Sequence, residues 1–172
     1  IASCLVGSEM CIRDRSCIEA EGNVIKYTFW YHNISTSQPL YNLKIQAASD
    51  FVINWGDGSS NSYLAEDYDE LTVCSHTWTK ATPATGNNWH EYTVQITGKI
   101  LYLYLDKPET SKTTDFYYAA IDVEKGTELR RIYMNTTRLK DNSISLVNCN
   151  KLLSFEMINN IDTKGLSSFI YP

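Results

Sequence analysis

Phe51-Val52-Ile53-Asn54-Trp55-Gly56-Asp57-Gly58 decides the fold class of this 172-residue chain. Phe51, Ile53 and Trp55 alternate with Val52 and Asn54, which is the period of a half-buried strand. The run then meets a glycine on each side of Asp57, and glycine reaches the positive φ that closes a hairpin where a Cβ would resist it. Gly56, Asp57 and Gly58 are therefore read as a structural turn, with the carboxylate in a local rather than a catalytic role. Period-two alternation continues outward on both sides. Upstream, Ile25, Tyr27, Phe29 and Tyr31 share one face. Tyr41, Leu43, Ile45 and Ala47 share another, opposite Asn42, Lys44 and Gln46. Downstream, Tyr92, Val94 and Ile96 alternate with Thr93, Gln95 and Thr97. Stretches 35–39, 59–62 and 82–88 are rich in turn-forming residues and read as turns. Several short strands at this spacing predict a β-sandwich over 17–106.

Composition points the same way. Hydrophobic residues make up 43% and charged residues 20%, a globular balance. Twelve Tyr and four Trp beside only four Pro favour strands. A net charge of −5 argues against a nucleic-acid partner, which needs a basic footprint. No apolar run approaches the roughly 20 residues of a membrane span.

The C-terminal part carries a repeat. Writing Φ for an apolar residue, Φ-x-x-Φ-x-Φ recurs as Ile100/Leu103/Leu105, Tyr118/Ile121/Val123 and Leu129/Ile132/Met134. It continues as a degenerate Asp141/Ile144/Leu146, then Leu152/Phe155/Met157 and Leu166/Phe169/Tyr171. The middle positions of the last five units stand 11, 12, 11 and 14 residues apart, so alternate units are 23 and finally 25 apart. A coil of about 23 residues with two strand-like segments lies inside the leucine-rich repeat range. Polar corners follow at Asn135-Thr136-Thr137, Asn148-Cys149-Asn150 and Asn159-Asn160, where Asn can satisfy backbone groups at a bend. Each coil has one apolar row and buries it only by stacking, so 107–172 is expected to form a solenoid. The last unit reaches Pro172 with no polar cap, and the solenoid is expected to be truncated.

Trp55-Gly56-Asp57-Gly58 resembles the W-G-D-G turn of polycystic kidney disease (PKD)-type domains, which are immunoglobulin-like sandwiches. His76-Thr77-Trp78, Gly86 and Tyr92-Thr93-Val94-Gln95-Ile96 stand where those domains carry a later H-x-Y…G-x-Y-x-V/I pattern. Trp78 replaces the usual Tyr, and Asn87 to Glu91 lengthen the interval after Gly86. The repeat resembles the degenerate leucine-rich repeats of surface proteins from gut bacteria, with Gly98-Lys99-Ile100 as the junction. The resemblance implies an all-β chain, a PKD-like β-sandwich followed by the start of a leucine-rich-repeat solenoid. It also implies a cell-surface or secreted setting and a non-catalytic adhesion role with a protein or glycan ligand. The alternatives are an accessory carbohydrate-binding or spacer domain of a glycan-degrading enzyme, or a bacteriophage virion protein.

Residues 4–15 resemble a translated sequencing-adaptor scar, while Ile1-Ala2-Ser3-Cys4 resembles a lipobox. The leader 1–16 is set aside as non-native or disordered. That leaves Cys17, Cys74 and Cys149, read as buried free thiols, with a Cys17–Cys74 disulfide as the open alternative.

The search for chemistry returns few candidates. His32, His76 and His90 have no partner at a triad or metalloenzyme spacing. No phosphate loop and no dinucleotide fingerprint occurs. The acidic run Glu66, Asp67, Asp69 and Glu70 lacks a calcium-loop pattern and reads as a solvated loop. No cofactor, metal or catalytic residue is expected. Trp89 and His90, in a polar loop, and Trp30, near a strand end, are the candidate binding residues. An aromatic face suits a sugar ring, and neighbouring polar groups suit its hydroxyls. The competing reading places Trp30 and Trp89 in the sandwich core.

Overall fold

In a computed structural model, which describes residues 22–32, 40–65, 70–78, 84–86, 89–106, 116–126, 128–135, 139–158 and 166–170, the alternating runs become strands. They are β1 (Asn23–His32), β2 (Leu40–Ala47), β3 (Phe51–Asn54), β4 (Ser60–Tyr63), β5 (Thr72–Thr77), β6 (Ala84–Gly86) and β7 (Trp89–Gly98). There follow β8 (Ile100–Leu105), β9 (Phe116–Lys125), β10 (Arg131–Asn135), β11 (Leu139–Ser145), β12 (Ser154–Ile158) and β13 (Leu166–Ile170). They form two packed mixed sheets. The eight-stranded sheet runs β13-β11-β9-β1-β7-β3-β4, with β6 paired to β7, and the five-stranded sheet runs β12-β10-β8-β2-β5.

Two pairing regimes meet in each sheet. β1 lies antiparallel between β7 and β9, and β2 lies antiparallel between β5 and β8. From β8 onward the chain alternates between sheets, and the added strands are parallel: β8, β10 and β12 in one, β9, β11 and β13 in the other. Ile121 stands opposite Ile144, Ile132 opposite Phe155, and Ile144 opposite Phe169. These are the residues that the repeat template spaces 23 and 25 apart.

The expected all-β sandwich is present, and the part of the chain that follows it adds strands to the same two sheets. β9 runs along β1, and β10 joins β8, itself paired to β2. Among the described residues, the structure shows one β-sandwich built from both parts of the chain, with no separate solenoid. The physical reason is that β8 and β9 each need a covered apolar face and a paired backbone. The open edges of β2 and β1 supply both at once. Two turn assignments also change. Ser60–Tyr63 is β4, an edge strand with little apolar face, and Ala84–Gly86 is β6.

The core has an aromatic end and an aliphatic end. Trp55, Trp78, Tyr27, Phe29 and Phe51 are fully buried, with Tyr92 nearly so. Phe29 meets Trp78 edge-on at 5.2 Å and stacks on Tyr92 at 5.3 Å. Ile121, Val123, Ile132, Met134, Ile144 and Leu146 continue the same cluster between the parallel strands. One buried polar residue joins the two parts. Asn23 donates from Nδ2 to the Ile100 carbonyl at 2.6 Å and accepts at Oδ1 from the Glu128 amide at 3.1 Å. Successive corners repeat their contacts: Leu129 N donates to Gly126 O at 3.2 Å, and Leu152 N to Cys149 O at 3.0 Å. Asn148 Nδ2 donates to the Glu124 carbonyl at 2.8 Å, the bend chemistry read from the sequence.

Cys74 and Cys149 are buried free thiols, and burial pushes them up to about 12 and about 11. The leader 1–16, Cys17, Glu66, Asp67, Asp69, Asn87 and Asn88 lie outside the described residues.

Candidate binding site

Strand alternation sorts the side chains of the five-stranded sheet onto two faces. Leu43 and Ile45 of β2, Leu103 and Leu105 of β8, and Ile132 and Met134 of β10 are buried between the sheets. Lys44, Tyr102, Tyr104, Arg131, Tyr133 and Asn135 therefore belong to the outer face, where they are half-buried or exposed. Register lines them up across strands. Lys44 pairs with Tyr104, Tyr104 with Tyr133, and Tyr133 with Glu156. The adjacent row is Gln46, Tyr102, Arg131 and Ser154.

Each row has its own chemistry. The Tyr104 and Tyr133 rings are 5.6 Å apart at 41°, a tilted aromatic floor. Arg131 lies over the Tyr102 ring at 5.8 Å, donates from Nε to Ser154 Oγ at 3.2 Å, and stands 3.9 Å from Glu156 Oε1. A hydrogen bond with Tyr104 pushes the Arg131 guanidinium further above its usual range, so it stays charged. Past the tyrosines, Asn135 Nδ2 donates to Asp106 Oδ1 at 2.9 Å. A groove of about 320 Å³ opens here, with Tyr104, Tyr133 and Leu71 as apolar walls and Lys44, Asp106 and Asn135 as polar ones. That size and mixture suit a small organic ligand or one or two units of a polymer.

The W-G-D-G turn forms a second cluster. Asp57 Oδ1 accepts from the Ser59 amide at 2.9 Å and from the Ser59 hydroxyl, while Oδ2 lies 3.0 Å from His76 Nε2. Burial pushes the Asp57 carboxyl up, but hydrogen bonds from the Ser59 hydroxyl, His76 and the Ser59 amide outweigh it, and the group titrates below its ordinary value. His76 stacks on Trp55 at 4.7 Å and meets Trp78 edge-on at 5.0 Å. Trp55 donates to Asn61 Oδ1 at 2.7 Å, and Trp78 to the Trp55 carbonyl at 2.9 Å. Ser, His and Asp are thus together, but not as a relay. The Ser59 hydroxyl and the Asp57 carboxylate both approach the same ring nitrogen, Nε2, and the hydroxyl donates to Asp57. The cluster fastens a turn. Gly56 and Gly58 sit at φ +82 and +88, which an L side chain resists.

Of the residues singled out for binding, Trp30 and Trp89 lie on the opposite side of the sandwich. Trp30 stands opposite Glu91, and His32 opposite Trp89, so alternation puts Trp30 and Trp89 on the outer face of the eight-stranded sheet. His90 has the inward parity of Tyr92, whose ring is 6.5 Å away. Trp89 and His90 begin β7 and do not sit in a loop, and both tryptophans are half-buried rather than core residues. Tyr102, Tyr104, Tyr133 and Arg131 were not singled out from sequence. Their signal was present at the x positions of Leu103-Tyr104-Leu105 and Ile132-Tyr133-Met134, where a solvated strand face has no need of aromatics. Among the described residues, no three His, Cys, Asp or Glu side chains converge as metal ligands. Compared with known proteins, the chain matches no family model, no curated protein and no solved structure.

Proposed function

We propose that the chain is a non-catalytic interaction module of a cell-surface or secreted protein, holding a glycan on the outer face of its five-stranded sheet. The observation that carries this reading is the groove floored by Tyr104 and Tyr133, with Lys44 beside Tyr104 across the strands and Asp106 and Asn135 two residues further along the chain. Tilted phenol rings offer an apolar surface to the C–H face of a sugar, and the amide–carboxylate pair offers a donor and acceptors to its hydroxyls. The finer family reading belongs with this proposal: a PKD-like sandwich whose parallel strands are leucine-rich-type coils. Its support is the Trp55–Ser59 hairpin fastened by His76, and parallel register at the repeat spacing. An accessory domain of a glycan-degrading enzyme would use the same face.

A glycan array probed with the purified chain tests this. Retention of a glycan subset is expected, lost in Tyr133→Ala and kept in Trp89→Ala. Loss in Trp89→Ala instead would move the site to the eight-stranded sheet. Turnover of any arrayed sugar would contradict the non-catalytic reading.

A further inference from the structure

We infer that the groove selects an acidic glycan, one whose sugar rings carry a carboxylate, and that Lys44 makes the selection. This rests on reading the groove as a glycan site. Among the described residues, the two cations of this face, Lys44 and Arg131, differ in what they already hold. Arg131 is engaged by Tyr102, Ser154 and Glu156. Lys44 is exposed, its cross-strand neighbours Val73 and Tyr104 are uncharged, and among the described residues it makes no hydrogen bond or ion pair.

An ammonium with three donors at the rim of an aromatic floor is a point charge open to a carboxylate. A ring stacked on Tyr104 and Tyr133 would have Lys44 beside it across the strands and the Asp106–Asn135 pair, 2.9 Å apart, further along them to serve hydroxyls. Charge balance narrows the class further. The chain carries a net charge of −5, so its overall field repels dense polyanions. Attraction must be local, to one carboxylate at a time. That favours a uronic acid over a nucleic acid or a heavily sulfated polymer.

The test is calorimetric titration of the full chain with oligomers of glucuronic and galacturonic acid, and with neutral oligomers of glucose and galactose. Wild type, Lys44→Met and Tyr133→Ala are compared, with melting temperatures as a fold check. Wild type is expected to bind one uronate series at least tenfold more tightly than its neutral counterpart. Lys44→Met should erase that preference and keep the aliphatic contact, and Tyr133→Ala should abolish binding of both. Neutral oligomers bound as tightly as uronates, or a preference that survives Lys44→Met, would overturn the acidic-glycan inference while leaving the glycan site standing. Absence of uronate binding would overturn it too. Uronate binding indifferent to Tyr133→Ala would remove the site itself.

Discussion

Two aromatic clusters in this chain do different work. In the first, Trp55, Trp78, Phe29 and Tyr92 are packed between the sheets, each with at most a trace of exposed surface. Both indole N–H groups are satisfied inside the protein, by Asn61 and by the Trp55 carbonyl. In the second, Tyr102, Tyr104 and Tyr133 lie on the outer face of the five-stranded sheet, half-buried, beside a groove. Residues of one chemical type thus divide by what covers them. A sealed aromatic cluster holds the fold, whereas a tyrosine row kept open to solvent is available to a ligand. The cost of truncating each should therefore appear in different measurements.

The largest effect is expected in the sealed cluster. Trp78→Ala should cost about 4 kcal/mol, because it empties a fully buried site and strips the ring contacts of Phe29, His76 and Tyr92. Urea unfolding measures it. A loss under about 1 kcal/mol would mean that the aromatic end is not the core. Ligand affinity of the folded fraction should not change.

The turn beside that cluster gives a sharper contrast between neighbours. At Gly56 a Cβ would fall 2.3 Å from the Thr93 carbonyl oxygen, whereas at Gly58 it meets nothing within 4 Å. Gly56→Ala therefore combines steric overlap with left-handed strain and should cost roughly 3 kcal/mol or more. Gly58→Ala carries strain alone, about 1 kcal/mol. Equal melting temperatures for the two variants would show that the turn does not pack on β7.

Much of this was legible in the sequence. The inward sets Ile25/Tyr27/Phe29/Tyr31, Phe51/Ile53/Trp55 and Tyr92/Val94/Ile96 are the buried ones. The repeat template named the register partners Ile121/Ile144 and Ile132/Phe155. Alternation says which face of a strand is covered, but not which strand lies beside it. That is why the addition of β9 to β1 and of β8 to β2 could not be read. β4 escaped because Ser-Asn-Ser-Tyr has no apolar face to give a period. Asn23 escaped because a polar residue at a strand start reads as a solvated end, and only the fold shows what it bonds. The tyrosine face lies at the x positions of the repeat template, which carry no apolar period. In a strand they are the other face, and their residue types speak to function.

A smaller effect follows from Asp57. Its folded pKa lies below the unfolded value, so the stability it contributes is present above about pH 4 and lost as pH falls through the folded value. Asp57→Asn should cost about 1–2 kcal/mol at neutral pH by weakening the Ser59 and His76 bonds. It should also flatten the acid limb of the stability profile below pH 4. An unchanged acid limb would place the acid sensitivity in other carboxylates.

The most direct measurement of the binding-face claim is an NMR titration of isotope-labelled chain with a glycan recovered from the array. Shifts are expected at Tyr104 of β8, at Asp106 just beyond it, and at Tyr133 and Asn135 of β10, with Trp30 and Trp89 still. Shifts centred on Trp30 and Trp89, with the tyrosine row unmoved, would contradict it.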